Sequence, residues 1–122
     1  MNVKTLALLL AVLVSGCVQA PAQDTGSQAA GELKEFTMTA KQFEFNPAAI
    51  TVNKGDRVKI TITSLDVSHG FRINEFNVNA KIEPGKPATV EFIADKSGTF
   101  TFFCSVVCGS GHGSMKGILT VK

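Results

Sequence analysis

From Phe36 to the C-terminus the chain is dominated by a two-residue period. Phe36, Met38 and Ala40 alternate with Glu35, Thr37 and Thr39, and Val58, Ile60 and Ile62 with Arg57, Lys59, Thr61 and Thr63. Ala88, Val90 and Phe92 alternate with Thr89 and Glu91, and Phe100 and Phe102 with Thr99 and Thr101. Leu119 and Val121 end the chain in the same way; Phe43–Phe45, Ile50–Val52 and Phe71–Ile73 are shorter candidates. Successive strand side chains point to opposite faces, so this pattern suits strands with one face in a core and the other in water. Asn46-Pro47, Asn53-Lys54-Gly55-Asp56, Pro84-Gly85-Lys86 and Asp95-Lys96-Ser97-Gly98 break the runs with turn-forming residues. No segment after Gly31 carries helical periodicity. Seven to eight short strands so spaced predict an all-β, antiparallel β-sandwich. Periodicity alone does not give the strand order.

Residues 32–122 suffice for one small domain. Its core draws on nine Phe residues, all beyond position 35, and the chain has neither Trp nor Tyr. Of twelve Lys and Arg, Lys4 belongs to the leader described next, leaving eleven against ten Asp and Glu. That near balance argues against nucleic acid as a partner.

Residues 1–16 have the layout of a secretory signal: Lys4, an apolar run from Leu6 to Val14, and small residues before Cys17. The run is too short to span a membrane as a helix. Its ending resembles a bacterial lipoprotein box, in which Cys17 is acylated and becomes the mature N-terminus; an ordinary secretory signal beside a chance cysteine is the alternative. Lipidation also accounts for the odd cysteine count. Residues 17–31, rich in Ala, Gln, Ser and Gly with Pro21, read as a flexible tether of roughly 20 Å r.m.s. reach. The expected location is extracytoplasmic, with the domain held to a membrane by lipid.

One segment concentrates metal-binding chemistry. Between Cys104 and Met115 lie two thiols, the imidazole of His112 and a thioether, and His69 is the only other histidine. Soft sulfur donors favour Cu(I), and imidazole serves either copper oxidation state. Three rivals stand beside a copper pair. A disulfide between Cys104 and Cys108 suits an exported protein, yet leaves His112 and Met115 unexplained. Zinc matches His69, Cys104, Cys108 and His112, with no use for Met115. A single blue-copper ion takes His69, Cys108, His112 and Met115, and strands Cys104 as a free thiol. Two coppers bridged by both sulfurs use every donor, one histidine each, with Met115 and a backbone carbonyl as weak axial contacts.

The run Cys-x-x-x-Cys-Gly-x-x-His-x-x-Met follows Phe100-Thr101-Phe102-Phe103 and precedes Gly117-Ile118-Leu119-Thr120-Val121, with His69-Gly70-Phe71 upstream. On these residues the region from about Ala40 to Lys122 resembles the binuclear copper A domain of subunit II of haem-copper cytochrome c oxidases. Gly111-His112 is more similar to the small-bodied bacterial oxidases than to the mitochondrial type. The resemblance implies a cupredoxin-like Greek-key sandwich, two copper ions and one-electron transfer. It also implies a redox partner such as a cytochrome c or a haem-copper oxidase subunit. It makes His69, Cys104, Cys108, His112 and Met115 side-chain ligands and gives Val106 a carbonyl role. Asp66 becomes the acceptor that orients His69; a solvated loop acid is its alternative reading.

Two departures stand out. Val106 replaces the glutamate that in many such subunits also binds magnesium, and the family's tryptophan, tyrosine and membrane-spanning segment are missing here. The domain is therefore expected to act as an electron-transfer protein. The alternatives are an integral copper subunit of a terminal oxidase and a periplasmic copper carrier. Met38 is expected in the core, Lys54, Arg57, Lys59, Arg72 and Lys116 on solvated faces, and Phe71 with Val107 as apolar surface around the metal. His112, on the more exposed loop, is expected to be the port through which the electron passes.

Overall fold

The computed structural model describes Gly16 and residues 31–122. Most of the expected signal peptide, the expected lipidation site Cys17 and most of the expected tether fall outside the described residues. Nine strands form: β1 Leu33–Lys41, β2 Glu44–Asn46, β3 Ala49–Val52, β4 Arg57–Ser64, β5 His69–Ile73, β6 Val78–Ile82, β7 Ala88–Ile93, β8 Gly98–Phe103 and β9 Lys116–Val121. They build a four-stranded sheet in the order β2-β1-β4-β7 and a five-stranded sheet in the order β3-β9-β8-β5-β6.

Two corrections to the expected architecture have physical causes. The ninth strand is β6, where Val78, Ala80 and Ile82 alternate with Asn79 and Lys81; it pairs antiparallel with β5 from Ile73–Val78 to His69–Ile82. The sandwich is also mixed in direction, because β1 runs parallel to β4 and β3 parallel to β9. After the β1–β2 hairpin the chain crosses to the other sheet as β3 and returns as β4. That excursion reverses direction an even number of times, so β4 comes back alongside β1.

The alternation translates directly into burial. In β4, Val58, Ile60, Ile62 and Ser64 face inward; in β9, Gly117, Leu119 and Val121 do so. Met38 is wholly buried, as expected. Phe45, Phe71 and Phe102 pack as a trio with ring centroids 5.2–5.6 Å apart, the Phe45 ring standing edge-on to the other two. Such contacts add to simple area burial. Phe71 is thus core and not surface around the metal, whereas Val107 is 80% exposed. Gly117 is needed where it lies: a Cβ there would strike the Phe102 ring and come within 2.5 Å of the Ala48 carbonyl oxygen.

Phe102 and Phe103 are neighbours in sequence on opposite faces of β8, the first buried and the second half-buried. Replacing Phe102 with alanine is expected to cost about 3–5 kcal/mol of stability, and the same change at Phe103 less than half as much. Urea denaturation of the two variants checks this, and comparable losses would contradict the assigned facing.

Candidate metal centre

Three adjacent strands of the five-stranded sheet deliver the donors. His69 opens β5 on the face that also carries Phe71 and Ile73, and all three are buried. It therefore belongs to the strand and not to the loop before it. Cys104 continues the inward series Phe100, Phe102 just beyond β8, and Met115 precedes Gly117 and Leu119 at the start of β9. The Cys104 N–H donates to the Met115 carbonyl at 3.0 Å, closing the ladder at this edge. Between these strand ends the loop turns through a short 3-10 segment, His112–Ser114, whose approach is held by His112 N–H donating to Gly109 carbonyl at 3.2 Å.

The donor atoms form a row. His69 Nδ1 lies 3.9 Å from Cys104 Sγ, Cys104 Sγ 3.6 Å from Cys108 Sγ, and Cys108 Sγ 3.8 Å from His112 Nδ1. Met115 Sδ is 3.8 Å from Cys108 Sγ, and the Val106 carbonyl oxygen is 3.0 Å from Cys104 Sγ. Donor atoms of His69, Cys104 and Cys108 all fall within 4.8 Å of one another, a group suited to a metal ion; His112 stands outside that group, against Cys108. Both cysteines are free thiols. His69, Cys104, Cys108 and Met115 are buried and His112 is half-buried.

The surroundings orient these groups. His69 Nε2 is 2.7 Å from Asp66 Oδ1. Asp66 also accepts from the Gln42 N–H at 2.7 Å and the Val67 N–H at 2.6 Å. Burial opposes its ionisation, but these hydrogen bonds outweigh burial and hold the carboxyl below its usual range. An ionised Asp66 only accepts, so Nε2 carries the hydrogen and Nδ1 presents its lone pair to Cys104. The Cys108 thiol is pushed up to about 11, by burial and by the Cys104 thiol beside it. The Cys108 thiol therefore keeps its proton at neutral pH, and a cation bound there would displace it.

Three further residues were not singled out by the sequence. Gln42 bridges the two donor loops, its N–H on Asp66 and its Nε2 donating to the Cys108 carbonyl at 2.5 Å. Nothing in the hairpin Lys41-Gln42-Phe43 signals that role. Gly70 donates its N–H to Cys104 Sγ at 3.4 Å, and a Cβ on it would meet Ser105 Oγ and lie 2.8 Å from the Ser105 and Val106 nitrogens. Its place directly after a candidate ligand was the available clue. Ser105 Oγ in turn donates to Asn79 Oδ1 at 2.9 Å, tying the loop to β6.

Comparisons with known proteins bear on the family and the fold. Cytochrome c oxidase subunit 2 of Thermus thermophilus is 36% identical over 80 residues, covering 66% of this chain and 59% of that protein. Nitrous-oxide reductase of Stutzerimonas stutzeri is 36% identical over 89 residues, 70% of this chain and 14% of the reductase. The chain thus spans less than two thirds of either relative. Among solved structures, a chain of a haem-copper terminal oxidase dimer superposes with a TM-score of 0.71 at 28% identity, covering 79% of this chain and 67% of that one. The family model described as a cupredoxin-like domain matches residues 6–121. With its two-sheet sandwich and its cluster of histidine and thiols, this chain belongs to the cupredoxin-like domain family, close to the copper A domain of cytochrome c oxidase subunit II.

Proposed function

We propose that this chain is an electron-transfer protein whose domain holds a binuclear copper centre, with His69, Cys104, Cys108, His112 and Met115 as side-chain ligands and the Val106 carbonyl as a weak donor. The observation that carries the reading is the row of donors in which each imidazole faces a different sulfur, 3.9 Å for His69 to Cys104 and 3.8 Å for His112 to Cys108. One tetrahedral zinc ion would want all four donors around a common point, and a single blue-copper ion would leave Cys104 unused. The weak donors divide in the same way, Met115 beside Cys108 and the Val106 oxygen beside Cys104.

Copper bound here would supply a one-electron couple that soft sulfur and imidazole donors support in both oxidation states. The chain's own residues do the rest. Asp66 fixes the tautomer and plane of His69. The buried sulfurs and the Phe trio beneath them keep water out and hold the donors to one geometry, so little reorganisation accompanies each transfer. His112 is the donor nearest solvent and would pass the electron through its ring edge. No bond to a substrate forms or breaks.

The same reading places the domain outside the cytoplasm. Residues 1–16 are removed as a signal, Cys17 carries lipid, residues 17–31 tether the domain to the membrane, and the partner is a cytochrome c or a haem-copper oxidase subunit. A second reading, an integral copper subunit of a terminal oxidase, is favoured by the 36% identity to an oxidase subunit; a gene for the haem-bearing subunit beside this one would support it.

Anaerobic copper titration is expected to saturate at two equivalents. Cys104→Ser and Cys108→Ser should each reduce uptake and abolish the thiolate-to-copper absorption of the paired centre. Saturation at one equivalent, or either serine variant keeping the parental spectrum, would sink the reading. Asp66→Ala, which frees the His69 ring, should weaken copper about 10–100-fold in competition with a chelator; unchanged affinity would show that Asp66 merely caps its own loop.

A further inference from the structure

On the outer face of the five-stranded sheet, the strand register lines up three side chains beside the metal centre. Arg72 of β5 pairs with Phe103 of β8, and Phe103 pairs with Lys116 of β9. Neighbouring strands lie about 4.8 Å apart, so the two cationic positions stand roughly 10 Å apart across the aromatic residue. Phe103 precedes Cys104 and Lys116 follows Met115, which sets the row directly against the donors. A cavity of about 380 Å³ opens here, lined in part by Arg72, Phe103, His112 and Lys116.

The electrostatics of this face are one-sided. The exposed strand residues of the sheet include Arg72, Lys81 and Lys116 and no carboxylate. Lys81 is neutralised by Glu83 at 3.1 Å. Among the described residues neither Arg72 nor Lys116 has an ion-pair partner, and none of those lining the cavity is acidic. Two unpaired cations flanking a half-buried aromatic ring, at the opening where His112 comes nearest solvent, fit a partner bearing carboxylates around an apolar centre.

We propose that Arg72, Phe103 and Lys116 form a docking site for an acidic redox protein, seating its carboxylates on either side of Phe103 so that an electron crosses at His112. The proposal rests on the copper reading for its purpose, though not for its electrostatics. With a c-type cytochrome as that partner, its ferrous haem would become ferric and the electron given up would pass to copper held by the donors; no atom is transferred.

The test uses the full chain and two c-type cytochromes, one acidic and one lysine-rich. In stopped flow with copper-loaded protein, the reduced acidic cytochrome should react faster at low ionic strength and slow as salt rises. Arg72→Gln combined with Lys116→Gln should lower that rate about ten-fold and flatten its salt dependence, with the copper spectrum unchanged. Lys54→Gln, at the opposite end of the sheet, should change neither. In the metal-free protein the acidic cytochrome should shift the amide resonances of Arg72, Phe103 and Lys116. Faster reaction with the basic cytochrome, or a double variant as fast as the parent, would overturn the proposal. Amide shifts in a protein that fails to load a copper pair would preserve the docking site and defeat the copper reading. A loaded pair without those shifts would do the reverse.

Discussion

Everything near the metal centre depends on how closely β5 approaches the loop that follows β8. At Gly70 the two backbones meet with no room for a side chain: any Cβ would run into Ser105 and the Val106 nitrogen. That contact sets His69 beside Cys104 and lets the Gly70 N–H reach the Cys104 sulfur. That hydrogen bond fixes the position of the Cys104 sulfur beside the His69 ring. The strand order β9-β8-β5 does the remaining work by ending three inward-facing series at one edge.

Rigidity at this edge comes from both sheets. Phe45 belongs to the four-stranded sheet, Phe71 and Phe102 to the five-stranded one, and their mutual contacts lock the layers together under the donors. Gln42, in the turn between β1 and β2, reaches across from the other layer to hold Asp66 by its N–H and the Cys108 carbonyl by its side chain. The donor loops are therefore braced from beneath by packing and from the side by hydrogen bonds. An electron-transfer site benefits from such bracing because its ligands must keep one arrangement through both oxidation states.

Much of this was legible in the sequence, for identifiable reasons. The alternation of Val58, Ile60 and Ile62 or of Phe100 and Phe102 reports facing directly, because burial has the same period as the pleat. The Cys104–Met115 run was readable because its donors are close in sequence and chemically distinctive. Direction of pairing was not: β1 and β4 are parallel through an excursion into the other sheet, which leaves no trace in residue order. β6 is hard to see in the sequence because it has only three apolar positions, Val78, Ala80 and Ile82, with Asn79 between the first two. Phe71 is core because His69 is the first residue of β5, and the two-residue period then sends both side chains inward. Gln42 and Gly70 act through distant backbone, and only the folded chain brings that backbone to them.

In the proposed centre two copper ions would share both thiolates and one unpaired electron. The electron paramagnetic resonance spectrum of the copper-loaded protein, oxidised by one electron per site, tests it most directly. A paired centre gives a seven-line hyperfine pattern, from one electron spread equally over two copper nuclei. A four-line pattern from a single copper nucleus would contradict it.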